Sequence, residues 1–163
     1  MLKELNSEHL KVILEIINNS PYFKHLKMEV KEIGIGYSLL EVVLESMHLN
    51  PFGSIHGGVY ASIIDTAAYW AVYSAMKENV GFTTMDLNVN NLAPINKGKL
   101  TVKGKCIKQG KIICLAEAFV INETGKCLAH GISKMLVSKN LQTIDLIMKF
   151  MDNNCFNIPP KFI

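Results

Sequence analysis

A cysteine framework is missing from this chain. Its four cysteines, Cys106, Cys114, Cys127 and Cys155, form no C-x-x-C pair and show no zinc-type spacing to histidine. Neither a disulfide scaffold nor a structural metal site is therefore expected. Charge of one sign is also scarce: seventeen Lys plus Arg against fourteen Asp plus Glu leave +3, with the lysines scattered, so nucleic acid is not an expected partner. A phosphate loop is absent too. Gly34-Ile35-Gly36 has no third glycine and no helix behind it, and no G-K-S/T follows anywhere. The N-terminus lacks the uninterrupted apolar run of a secretory signal, because Lys3, Glu4, Glu8, Lys11 and Glu15 punctuate it. A cytoplasmic protein with reduced thiols is the expectation. Core material, by contrast, is plentiful: 163 residues, 49% hydrophobic and 19% charged, suffice for one domain and exclude disorder.

Ser7 to Asn18 sets Leu10, Ile13, Leu14 and Ile17 at helical spacing, with Ser7 as the expected N-cap and Pro21 as the stop. Met28 to Ile33 and Tyr37 to Leu44 read as two strands joined through the Gly34 to Gly36 turn. Gly57 to Met76 then holds twenty residues with Asp65 as the only formal charge. An apolar helix of that length is either enclosed by other elements or spans a membrane. A central Asp costs about 2.5–3.5 kcal/mol at a bilayer centre, and the strands that follow are amphipathic, so enclosure is the favoured reading.

Those strands are Phe82 to Leu92, Lys99 to Lys108, Lys111 to Ile121 and Lys126 to Val137. Lys99, Thr101, Lys103 and Lys105 alternate with Leu100, Val102, Gly104 and Cys106, as a half-buried antiparallel strand requires. Gln109-Gly110 and Asn122 to Gly125 supply hairpin turns, which makes Asn122-Glu123-Thr124 a turn and not a glycan site. Six strands and one buried helix give an α+β class, an antiparallel sheet curled around the helix. The domain is expected over 1–138. Residues 139–163 form an extension, with a short helix through Ile144, Ile147, Met148 and Met151 and no order from Pro159-Pro160 onward.

Asp65 is the first candidate for chemistry, since a buried carboxylate is costly unless something pairs with it; the plainer reading puts it on the one exposed stripe of the helix. The second is the approach to the helix, Asn50-Pro51-Phe52-Gly53-Ser54-Ile55-His56-Gly57-Gly58. Free amides at a helix N-terminus sit at the positive end of its dipole and can hold a developing oxyanion. Glycine lets a carbonyl come close. Taken alone, Gly57-Gly58 is a tight turn, His56 a loop histidine and Asn50 a turn residue before proline. Gly57 and Asp65 are eight positions apart, about 12 Å along one helix, too far to act on one carbonyl. A twofold dimer with antiparallel helices removes the difficulty, setting the N-terminus of one helix near the middle of its mate.

The run H-G-G-x-x-x-x-x-x-D-T from His56 to Thr66 resembles the signature of the hotdog-fold acyl-CoA thioesterases of the PaaI-like, phenylacetate-pathway type. Asp86-Leu87-Asn88-Val89 with Pro94, the Gln109-Gly110-Lys111 turn, and Gly125 to Gly131 extend the resemblance, which covers about Tyr22 to Ser138. It implies a sheet wrapped around a helix and a homodimer that pairs again into a tetramer. It implies acyl-CoA as substrate, with no cofactor beyond the coenzyme A that the substrate carries. It implies that the Gly57 amide polarises the thioester carbonyl and that His56 and Asn50 position thioester or water. Asp65 of the partner subunit is then general base or nucleophile. Thr84 stands where relatives carry Ser or Thr near the attacking water, and simple alternation along Phe82 to Leu92 puts it on one face with Asp86, Asn88 and Asn90. Lys108 and Lys111, beside a hairpin turn, are candidates for a phosphate contact, against the favoured reading of solvated surface lysines. The rival reading is a non-catalytic acyl-CoA sensor on the same fold. A hotdog dehydratase lacks its D-x-x-x-x-H pairing around Asp65.

Overall fold

Turn chemistry and alternation set the sheet. The computed structural model describes residues 4–77, 80–138, 143, 144, 146, 147 and 157–163. Its strands are β1 (Met28–Gly34), β2 (Tyr37–Val43), β3 (Gly81–Asn91), β4 (Lys99–Lys108), β5 (Ile113–Asn122) and β6 (Cys127–Ser138). They form one antiparallel sheet in the order β1-β2-β4-β5-β6-β3. The Asn122 side chain holds the β5–β6 turn by accepting from the amides of Thr124 and Lys126 at 3.1 and 2.9 Å, as a turn residue should.

The helices that position the sheet are α1 (Ser7–Asn18), α2 (Pro21–Leu26) and α3 (Gly57–Ala75), and a 3-10 turn at Ser46–His48 is one that the sequence did not announce. Two expectations need correction. The N-cap of α1 is Asn6, not Ser7: its side-chain oxygen accepts from the Glu8 amide at 3.1 Å. Pro21 does not merely stop α1 but opens α2 at the first helical position, where its missing N–H costs nothing.

The sheet wraps α3, whose Ile63, Ile64, Ala67, Ala68 and Ala71 are wholly buried against it. Close approach is allowed by glycine. A Cβ on Gly104 would lie 2.3 Å from the Ala67 carbonyl oxygen, and one on Gly131 would lie 2.7 Å from Ile64 Cγ2. The enclosed reading of Gly57 to Met76 therefore holds, and none of the described helices is long and apolar enough to cross a membrane.

The chain end departs from expectation. Ile144 and Ile147 are helical, while Met148, Met151 and Cys155 lie outside the described residues. Order does not stop at Pro159-Pro160: Phe162 bridges Leu5, the Asn6 amide donates to Lys161 O at 2.9 Å, and the Ile163 amide donates to Glu4 O at 3.0 Å. Lys161 is 3% exposed, its ammonium donating to the carbonyls of Tyr73 and of Met76 (2.7 Å) at the C-terminal end of α3. A cation there meets the negative end of the helix dipole. His9 closes the contact from α1, with Nε2 2.6 Å from the Tyr73 hydroxyl and Nδ1 2.7 Å from Pro159 O.

Candidate active site

The loop before α3 is built to hold its first turn. The Asn50 side-chain oxygen accepts from the amides of Phe52 (2.9 Å) and Ser54 (3.2 Å), so this oxygen shapes the loop. His48, fully buried, anchors the same loop: its carbonyl accepts from the His56 amide at 2.8 Å, and its ring accepts from the Glu45 amide at 2.9 Å while facing Leu26 O at 2.7 Å. His56 is the N-cap of α3, and its Nδ1 accepts from the Gly58 amide at 2.9 Å. An accepting Nδ1 carries no proton, which leaves the proton of the neutral ring on Nε2. With Gly58 capped, the Gly57 amide donates to no group among the described residues, the state required of an oxyanion donor. Beside it stands Asn91, whose side-chain nitrogen would lie 2.9 Å from a Cβ on Gly57.

Asp65 lies on the least buried stripe of α3, with Gly58, Ser62, Thr66 and Tyr69. Its carboxylate is nonetheless engaged: Oδ1 accepts from Thr84 Oγ1 at 2.9 Å and from Ser133 Oγ at 3.0 Å. Thr84 is thus brought to Asp65 of its own chain, and not by simple alternation. β3 carries one extra residue against β6 at Met85, since Thr84 pairs with Met135 and Asp86 with Lys134. That bulge reverses the phase. Thr84 faces α3 while Asp86, Asn88 and Asn90 face away, and Asp86 meets Lys134 at 2.6 Å on the outer surface. The expected shared face is therefore broken by the bulge.

Around this centre, burial and then the Asp65 carboxylate push the Tyr69 phenol well above its ordinary range. Burial pushes Tyr60 up to about 12, and its hydroxyl donates to Ala93 O at 3.1 Å. Both phenols stay protonated near neutrality and neither is a base. Tyr69 packs against Phe82 with ring centroids 4.3 Å apart, Tyr60 and Trp70 fill the core, and Phe52 is 94% exposed. Lys108 and Lys111 stand exposed at the β4–β5 turn. Among the described residues no cluster of His, Cys, Asp and Glu could hold a metal.

Sequence reasoning missed Ser133 and Asn91. A lone hydroxyl in the inward register of an apolar strand was the available signal for Ser133; nothing local marked Asn91.

A family model described as the thioesterase superfamily matches residues 52–129. Acyl-coenzyme A thioesterase 13 of Mus musculus is 25% identical over 129 residues, covering 77% of this chain and 91% of its own length. A thioesterase structure from Haemophilus influenzae superposes with a TM-score of 0.76 at 24% identity, covering 87% of this chain and 98% of its own. The PaaI protein of the phenylacetic acid degradation operon of E. coli superposes with a TM-score of 0.72 at 21% identity, covering 81% and 94%. At these identities the two structures speak for the fold.

Proposed function

Because residues 52–129 match the thioesterase superfamily model and the chain has a hotdog fold, we propose that it is a thioesterase of the PaaI-like kind that hydrolyses acyl-CoA thioesters to a free carboxylic acid and coenzyme A. The observation that carries the reading is the pairing of an unengaged Gly57 amide at the start of α3 with a hydroxyl-held carboxylate at its middle. About 12 Å of helix separates them within one chain, so the working site takes Gly57 from one subunit and Asp65 from its partner. The protein is then a homodimer, with a tetramer as its further assembly, acting in the cytoplasm without a cofactor.

Gly57 N–H polarises the thioester carbonyl and stabilises the oxyanion formed on attack, a contribution of about 3–4 kcal/mol for one such donor. The Asp65 carboxylate either takes a proton from the attacking water or attacks the carbonyl carbon itself. Both courses run through the same group, and solvent ¹⁸O entering the Asp65 side chain in a single turnover marks the second. The carbon–sulfur bond then breaks, giving the acid directly in the first course and, in the second, an acyl–Asp65 anhydride that water hydrolyses to the acid and the free carboxylate. A thiol with a pKa of about 8.5 leaves readily as thiolate, so no strong acid is required. His56 and Asn50 act by fixing the amide and the loop, and Thr84 by holding Asp65.

The test is free-thiol release from aryl-, medium- and long-chain acyl-CoAs by the natural protein and Asp65→Ala. Turnover on at least one, lost in the variant, is expected. Tight binding by both proteins without turnover would leave a sensor in place of an enzyme.

A further inference from the structure

Two hydroxyls from different strands meet one oxygen of Asp65. Thr84 Oγ1 on β3 and Ser133 Oγ on β6 both donate to Oδ1, at 2.9 and 3.0 Å, while Oδ2 receives no hydrogen bond from the described residues. Ser133 is wholly buried and stands in the inward register of β6 with Ala129, Gly131 and Met135, opposite Leu87 on β3 and Ala116 on β5. A hydroxyl at such a position is costly unless it finds a partner, and an apolar side chain would pack there without that cost. Its partner is the one carboxylate of α3. Gly131, two residues before Ser133, lets Ile64 close on the sheet, so the helix is held near enough for the contact.

We propose that Ser133 is a positioning residue for catalysis: with Thr84 it ties down Asp65 Oδ1, fixes the plane of the carboxylate, and leaves Oδ2 as the oxygen that meets water or the thioester carbon. The proposal rests on the thioesterase reading for its kinetic part only. A carboxylate held at one oxygen from two directions cannot rotate about its last torsion without breaking both bonds, so the second oxygen is presented in a single direction. Such pre-organisation lowers the barrier without adding to the affinity for substrate.

Ser133→Ala is expected to lower kcat about tenfold with KM within about twofold, and Ser133→Cys, a weaker donor of similar shape, to fall between the two. Ser38→Ala is the control, because Ser38 is equally buried and also donates from the sheet to α3, but to the Ala67 carbonyl at 2.6 Å. The substrate-free readout is the ¹³C resonance of the Asp65 carboxyl group, identified by its loss in Asp65→Asn. It is expected to move in Ser133→Ala and to stay in place in Ser38→Ala. An unmoved resonance in Ser133→Ala, or an equal loss of kcat in Ser38→Ala, would overturn the proposal. Absence of turnover in the natural protein would sink the thioesterase reading and leave the resonance to decide the positioning.

Discussion

At the scale of single residues the account depends on one N–H. Gly57 is the first residue of α3 and follows His56 at φ −72°, ψ 134°, the extended conformation that a residue before proline adopts. Proline at this helical position is tolerated, so Gly57→Pro removes the amide and keeps the helix. The side chain nearest the new Cβ is the terminal nitrogen of Asn91, which has room to give because Asn91 is exposed. The expected outcome is a fall in kcat of about 10²–10³ with an unchanged circular dichroism spectrum, read by thiol release and thermal melting. Gly57 and Asp65 were legible in the sequence because both sit on one contiguous loop and helix, where polar residues stand out against an apolar run. Ser133 was not, since it is 68 residues from Asp65 and only the sheet register joins them.

Elements show why a regular pattern misplaced part of the site. The strands and α3 could be read from period-2 and compositional signals, and β4 alternates as expected. The extra residue at Met85 could not, because a bulge has no fixed composition and yet turns Thr84 inward and Asp86 outward. The depth of the site depends on contact between helix and sheet as well. Gly104→Ala would drive a Cβ to 2.3 Å from the backbone oxygen of Ala67, two residues from Asp65 on the same helix. Such overpacking costs about 1–3 kcal/mol. Chemical denaturation should show a lower midpoint with an unchanged slope; a midpoint equal to that of the natural protein would mean that the sheet stands farther from α3 than described.

Across the whole molecule, one feature lies beyond the reach of local sequence signals. It is the chain end, which reads as an irregular extension with two prolines and yet returns to pair with Leu5 and to seat Lys161 on the last carbonyls of α3. Lys161→Met strips donors from those carbonyls, at a cost of about 1–3 kcal/mol, and a chain of this size loses about 2–4 °C of Tm per kcal/mol. Calorimetry should find that loss, with faster amide exchange at Met76, whose N–H donates to Val72 and Tyr73. A second matter at this scale is the proposed completion of each site by a second subunit, on which the whole account turns. Its most direct test is to unfold Gly57→Pro and Asp65→Asn together in equal amounts, refold the mixture and measure thiol release. Random pairing makes about half of the dimers mixed, and each mixed dimer carries one intact site and one doubly broken site. The account predicts recovery of about a quarter of the natural activity from two inactive parents. A mixture as inactive as either parent alone would contradict it.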